Sequence, residues 1–294
     1  MKNTINQTYE KLRITGTPGL IVHHQSAKGS PKGSIIFVHG ICHGAWCFEK
    51  FMEYFSEHGY ECFALNLRGH GDNTRKGLTF ATLSQYMSDV ARCINFCSAY
   101  MRDKGITEKP FLLGHSMGGA VVQKYMKNHF DEVKGTILFA PATAKRMPWI
   151  HTILGIKKEN LRIAVIKALG FKVSDEQIAR SAFFDNRIKS QEDVRRYNSC
   201  LHRESYVILF ISLYLPYYSG KYNGNIPILV IGSYADSYFP EESLKRTAEV
   251  YGCTQNGTRN QLVILPDLCH DMMLDTDQWE DSANAVLKFM ENNK

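Results

Sequence analysis

Short, unbroken apolar runs separated by amphipathic stretches constrain this chain more than any other feature. Ser34-Ile35-Ile36-Phe37-Val38-His39 carries apolar side chains at consecutive positions. As a strand it therefore needs cover on both faces, which is the condition of a strand inside a parallel sheet. Cys62–Leu65, Phe111–Leu113, Gly135–Ala140 and Pro227–Gly232 repeat the theme, and Gln261–Leu265 adds a last strand. Between them lie helical patterns. Phe48–Gly59 places Phe51, Met52 and Phe55 at i, i+1 and i+4, and Leu83–Met101, Val121–Phe130, Glu241–Tyr251 and Trp279–Met290 also read as helices. Strands alternating with helices predict an α/β fold with a mostly parallel central sheet flanked by helices. Two further strands, Tyr9–Thr15 and Leu20–His24, precede them and are joined by the turn Gly16-Thr17-Pro18-Gly19.

The rhythm breaks between about residues 142 and 224, where helical patterns occur without a central strand. Leu161–Leu169, Asp175–Phe183, Gln191–Leu201 and Tyr206–Leu215 are the segments concerned. Because the alternation resumes afterwards, residues 142–224 are expected to form a helical cap, or lid, inserted after the sixth strand. Residues 1–141 and 225–294 then make one core domain.

One strand-to-helix junction carries chemistry. Phe111-Leu112-Leu113-Gly114-His115-Ser116-Met117-Gly118-Gly119-Ala120 fits the G-x-S-x-G elbow, in which a sharp turn lifts a serine above the sheet. Such a turn needs neighbours without a Cβ, so Gly114 and Gly118 let strand and helix approach closely. The helix behind the serine aims backbone N–H groups and a positive dipole end at a reacting carbonyl.

The chain has 294 residues, enough for a large core, and carries 35 Lys+Arg against 29 Asp+Glu, a formal charge of +6. Its basic residues are scattered rather than blocked, so no nucleic-acid partner is expected. The first residues lack the apolar core of a signal peptide. The longest apolar stretch, Tyr206–Tyr218, is shorter than a membrane span and contains Pro216, so no transmembrane segment is expected. The 8 cysteines show no C-x-x-C pair and point to reduced thiols and a cytoplasmic location.

With these motifs in order, the chain resembles an α/β-hydrolase over nearly its whole length. The resemblance rests on His39-Gly40 after the third strand, Gly114-His115-Ser116-Met117-Gly118-Gly119 after the fifth, Asp236 after Ile228–Gly232, and Cys269-His270-Asp271-Met272-Met273 after the last. It implies a catalytic triad in the order Ser116, Asp236, His270. Asp267 and Asp271 flank His270 but must bend back to reach its Nδ1, whereas Asp236 arrives from another loop; Pro141-Ala142-Thr143-Ala144, where some members carry the acid, has no carboxylate. His115 is expected to pack inside the elbow and His39 to anchor its loop. The oxyanion donors are expected to be the backbone amides of Met117 and Ile41.

The segment His39-Gly40-Ile41-Cys42-His43-Gly44-Ala45-Trp46 resembles that of plant methylesterases and hydroxynitrile lyases. The lyases depend on a catalytic lysine, and none lies in Asp236–Phe239 or beside His270. Ser116 rules out the aspartate nucleophile of haloalkane dehalogenases, while cofactor-free oxygenases and haloperoxidases share the triad. No metal and no cofactor are implied. Trp46, Phe183, Phe184 and Phe210 are expected to line the pocket, along with Leu161, Ile163, Val165, Ile166, Ile208, Leu209 and Leu213; Met147 and Trp149 are placed at its mouth. The first reading is a serine hydrolase cleaving a carboxylic ester, with a lipid-like or small apolar acyl group, through an acyl-serine. The second is a ligand receptor or interaction protein with slow residual hydrolysis; a C–C bond hydrolase or amidase would use the same residues.

Overall fold

The structure is a computed structural model and describes residues 9–144, 158–214 and 222–294. Its strands are β1 (Glu10–Ile14), β2 (Leu20–Gln25), β3 (Gly33–Val38), β4 (Tyr60–Leu65), β5 (Phe111–His115), β6 (Gly135–Phe139), β7 (Ile228–Ser233) and β8 (Asn260–Leu265). They form one 8-stranded sheet in the order β1-β2-β4-β3-β5-β6-β7-β8. The β1–β2 and β2–β4 pairs are antiparallel; every pair from β4 to β8 is parallel. The chain steps from β3 to one side, then returns to place β5 on the other. That reversal opens a crevice above the C-terminal ends of β3 and β5, where open α/β sheets bind ligands.

The helices are α1 (Glu49–Glu57), α2 (Leu83–Asp103), α3 (Met117–His129), α4 (Lys158–Ala168), α5 (Asp175–Arg180), α6 (Gln191–Cys200), α7 (Tyr206–Tyr214), α8 (Glu241–Tyr251) and α9 (Trp279–Asn292). The twofold period of a strand sends alternate side chains to opposite layers. Ile35 and Phe37 pack in one cluster with Phe51 and Phe55 of α1 and Val286 and Phe289 of α9. Ile36 and Val38 pack in the other with Val90 and Cys93 of α2, Val121 of α3 and Leu244 of α8. A run that is apolar at every position is thus satisfied on both sides. α2 starts cleanly because Thr82 accepts the Gln85 N–H while the Gln85 side chain returns the bond to the Thr82 N–H.

The described residues between β6 and β7 hold α4 to α7 and no strand. Their buried residues Ile163, Ile178, Phe183, Phe184, Val194, Tyr197 and Leu209 join the same cluster as Trp46 and Phe48. Met147 and Trp149 lie outside the described residues, as do the side chains of Leu161 and Leu213. Among the described residues no helix is long and apolar enough to cross a membrane.

Two of the boundaries that differ from the sequence reading have a clear physical reason. α3 begins at Met117, directly behind the serine, not at Val121. Gly118 and Gly119 lower local helix propensity, but close packing overrides it. A Cβ on Gly118 would lie 2.4 Å from the Val38 carbonyl oxygen and 2.5 Å from that of His39; one on Gly114 would lie 2.6 Å from the Gly118 oxygen. α5 stops at Arg180, short of the expected Phe183, because Ser181 leaves the helix for an extended conformation (φ −60°, ψ 162°); the chain then turns through Asp185 (φ 43°) and Asn186 (φ 59°). Gly118→Ala is expected to cost roughly 1–3 kcal/mol of stability through overpacking. Denaturant unfolding of the two proteins measures it, and an unchanged midpoint would contradict the close approach.

Candidate active site

Parallel register brings the site together. Val38 of β3 pairs with Gly114 of β5, so the loop after β3 and the turn after β5 emerge side by side. Ser233 of β7 pairs with Leu265 of β8, so the loops carrying Asp236 and His270 do the same.

Ser116 takes φ 54° and ψ −118°, a conformation an L-residue adopts only under constraint. Its N–H donates to the Phe139 carbonyl at 3.1 Å, and its own carbonyl accepts from Ala142 at 3.0 Å and Ala120 at 3.3 Å. Both sides of the turn are thereby tied to the strand β6 end and to α3. The serine is 6% exposed.

His270 Nδ1 lies 2.9 Å from Asp236 Oδ2. The other carboxylate oxygen accepts the N–H groups of Tyr238 at 2.7 Å and Phe239 at 3.1 Å. A carboxylate only accepts, so Nδ1 carries a hydrogen and Nε2 is left for a reacting group. Burial pushes the His270 pKa down, but the Asp236 charge and hydrogen bond more than offset it and leave it raised above 6.5. Tyr238 and Phe239 wall the imidazole, with ring centroids at 4.8 and 5.4 Å. Among the described residues Ser116 Oγ and His270 form no direct hydrogen bond. The neighbouring His115 links the two loops instead, its Nε2 donating to the His270 carbonyl at 3.2 Å. Burial and then the nearby His270 hold the His115 pKa well below 6.5, so it is a neutral packing group.

The other acids have other partners. Asp267 is exposed and paired with Arg187. Asp271 is buried and faces His43 Nε2 at 2.8 Å. Burial raises its pKa, but the charge and hydrogen bond of His43 outweigh that and leave it lowered. His115, His270 and Asp271 stand close enough to resemble a metal site. His115 Nε2, His270 Nδ1 and Asp271 Oδ2 are taken by protein groups, while His115 Nδ1 and Asp271 Oδ1 make no hydrogen bond among the described residues.

The loop after β3 is fixed peptide by peptide. The Gly40 carbonyl accepts from His39 Nδ1 at 2.8 Å and from the His43 N–H at 3.4 Å. A planar trans peptide then turns the Ile41 N–H the opposite way. His39 Nε2 accepts the Leu67 N–H at 3.2 Å, so this buried histidine is the neutral Nδ1–H form; burial and the adjacent His70 hold its pKa well below 6.5. The Ile41 carbonyl accepts from His43 Nδ1 at 2.6 Å. Neither the Ile41 nor the Met117 N–H donates to an acceptor among the described residues. Met117 opens α3, where the first amides of a helix have no internal partner.

Trp46, Phe183 and Phe184 are buried, whereas Phe210 is 56% exposed on α7. Phe183 stands 5.3 Å from His43 and 5.7 Å from Tyr238 by ring centroids, and Trp46 stacks on His43 at 5.3 Å. Tyr238 and His43 were not singled out by the sequence. His43 sits inside the His39–Trp46 segment, but its partner lies 228 residues away, beyond any local pattern.

A family model described as serine aminopeptidase, S33, matches residues 29–277. The esterase PIR7B of Oryza sativa subsp. japonica is 28% identical over 130 residues, covering 44% of this chain and 45% of that protein. Methylesterase 10 of Arabidopsis thaliana is 34% identical over 84 residues, covering 29% of this chain and 28% of that protein. The chain thus spans less than half the length of these curated relatives. A soluble variant of monoglyceride lipase from Saccharomyces cerevisiae, solved with a substrate analogue, superposes with a TM-score of 0.68 at 16% identity, covering 98% of this chain and 96% of that one. That likeness shows the fold, an α/β-hydrolase fold.

Asp236→Ala is expected to lower the His270 pKa, since burial then acts without its main counterweight. NMR titration of the ring C–H reads the change, and an unmoved midpoint would remove Asp236 as the orienting acid. Stability follows with the same sign: a raised histidine pKa stabilises the fold fully below about 6.5 and loses that contribution as pH rises through the folded-state value.

Proposed function

The chain belongs to the serine aminopeptidase S33 family of α/β hydrolases, and from that premise we propose that it cleaves carboxylic esters through an acyl-Ser116 intermediate. The observation that carries the reading is the buried His270–Asp236 hydrogen bond of 2.9 Å beside a serine held at φ 54°. His270 Nε2 takes the Ser116 proton as Oγ attacks the ester carbonyl. Asp236 holds the imidazole in the required tautomer and stabilises the imidazolium. The amides of Met117 and Ile41 receive the developing negative charge, an arrangement typically contributing about 2.7–4 kcal/mol per donor. The tetrahedral intermediate collapses as the imidazolium protonates the leaving alkoxide. Water, deprotonated by His270, then releases the acid and regenerates the serine.

The described helices between β6 and β7, within residues 142–224, serve in this reading as the cap over the core formed by 1–141 and 225–294. Tyr238 lies against His270 and Phe183 against Tyr238, with Phe184 packed on Phe183 and Trp46 on His43, an apolar, aromatic cluster that suits an aliphatic or aromatic acyl group. The substrate class is therefore a lipid-like or small apolar ester; the methylesterase and lipase names of similar proteins agree with that class.

Kinetics on p-nitrophenyl esters test the reading. Ser116→Ala is expected to reduce kcat by more than about 10³-fold. For the wild type, kcat/KM is expected to rise with pH through a midpoint above 6.5, because only neutral His270 accepts the proton and its pKa is raised. Full turnover by the alanine variant, or a wild type that stalls after one equivalent, would overturn the reading.

A further inference from the structure

Glu204, between α6 and α7, is a fully buried carboxylate that the ester-cleaving reading leaves unused. Its Oε2 accepts the Cys42 N–H at 3.3 Å and faces His70 Nε2 at 2.9 Å. Its Oε1 accepts the Tyr86 hydroxyl at 2.7 Å and the Ser205 N–H at 2.7 Å. His70 Nδ1 meets the Arg68 carbonyl at 3.0 Å, so both ring nitrogens of His70 face oxygens that only accept. Imidazole and carboxylate are both fully buried, sealed from water. Burial raises the Glu204 pKa, but the His70 charge, the His70 bond and the remaining donors bring it down to about 2, so the carboxylate stays ionised.

What this anion grips is informative. The Cys42 N–H belongs to the same peptide unit as the Ile41 carbonyl, which His43 holds from the other side. Cys42 itself sits at φ 66°, in the left-handed region that a side chain with a Cβ disfavours. Its carbonyl accepts the His202 N–H at 3.1 Å. The residues just before α7 thus clamp Cys42 at its N–H and its carbonyl, next to the amide that faces the developing oxyanion.

We propose that Glu204 is a positioning residue for the oxyanion-stabilising loop: by holding the Cys42 N–H it keeps Cys42 in its left-handed conformation and the adjoining Ile41 amide turned toward the substrate. The inference rests on the ester-cleaving reading. Because Glu204 comes from the helical insertion, correct seating of that segment is a condition for transition-state stabilisation. Loss of the anion leaves the Cys42 N–H buried without a strong acceptor, and Cys42 relaxes out of the left-handed region, swinging the Ile41 amide away. Ground-state binding at the aromatic cluster is untouched, since Glu204 acts at Cys42.

The test compares wild type, Glu204→Gln and Tyr86→Phe on p-nitrophenyl butyrate, with a trifluoromethyl ketone as a probe that becomes an oxyanion on adding to Ser116. Glu204→Gln is expected to lower kcat about 10- to 100-fold with KM changed by less than about threefold, short of the roughly 10²–10³ lost with a whole oxyanion donor. Ketone affinity is expected to fall in parallel. Tyr86→Phe loosens the same carboxylate and is expected to lower kcat by at least about threefold, in line with one lost charge-assisted bond. Wild-type turnover lost in Ser116→Ala checks the underlying reading separately. Given that turnover, a folded Glu204→Gln with unchanged kcat and ketone affinity would overturn the proposal. If circular dichroism shows Glu204→Gln unfolded, Tyr86→Phe decides, and an unchanged kcat there would overturn it too.

Discussion

The close approach of α3 to the end of β3 is the constraint on which the rest of the arrangement depends. With Gly118 packed where any Cβ would strike the Val38 and His39 carbonyl oxygens, the helix can begin immediately behind Ser116. That contact fixes three things at once. It forces the serine into the left-handed region, it aims the open N-terminus of α3 at the crevice, and it sets the loop after β3 beside the turn after β5. A longer connection would relieve the strain at Ser116 but would separate the Met117 and Ile41 amides. In the proposed reaction the backbone geometry, rather than any one side chain, therefore defines where negative charge is welcome.

Around that backbone the site is built from buried carboxylates, each paired with a histidine, with Asp271 Oδ1 alone among their oxygens lacking a hydrogen bond among the described residues. Asp236 is held by the amides of Tyr238 and Phe239 and by His270; Asp271 by His43; Glu204 by His70, Tyr86 and the amides of Cys42 and Ser205. Burying a carboxylate is costly unless such partners are present. The pairs also divide their labour. His270 keeps Nε2 available, whereas His43 and His70 spend both ring nitrogens on acceptors and hold chain segments in place. His39 and His202 are neutral, each donating from Nδ1 to a carbonyl and accepting an amide N–H at Nε2; burial and the nearby His70 bring the His202 pKa down to about 3.

Much of this was legible in the sequence where the signal is local. Apolar runs such as Ile35–Val38 announce strands covered on both faces, and the strand–turn–helix around Ser116 announces the elbow. Chain order and the position of Asp236 beyond a strand end separate it from Asp267 and Asp271. Non-local pairings were not legible. Glu204 meets Cys42 across 162 residues and His70 across 134, and neither residue carries a motif that names the other. Phe210 shows the limit of composition: an apolar residue on a helix that is apolar nearly all round has no sequence mark for the side that faces outward. The early end of α5 has the same kind of reason: Ser181 turns extended into a loop held from far along the chain, where the Asp271 N–H donates to the Phe183 carbonyl at 3.1 Å.

The account comes down to whether Ser116 is an activated nucleophile, and covalent trapping asks that most directly. The protein treated with a fluorophosphonate is weighed intact and then peptide-mapped, beside the His270→Ala variant. The account predicts a single adduct on Ser116 that forms in the wild type and is absent from the variant on the same timescale. No adduct, an adduct on another residue, or equal labelling without His270 would contradict it.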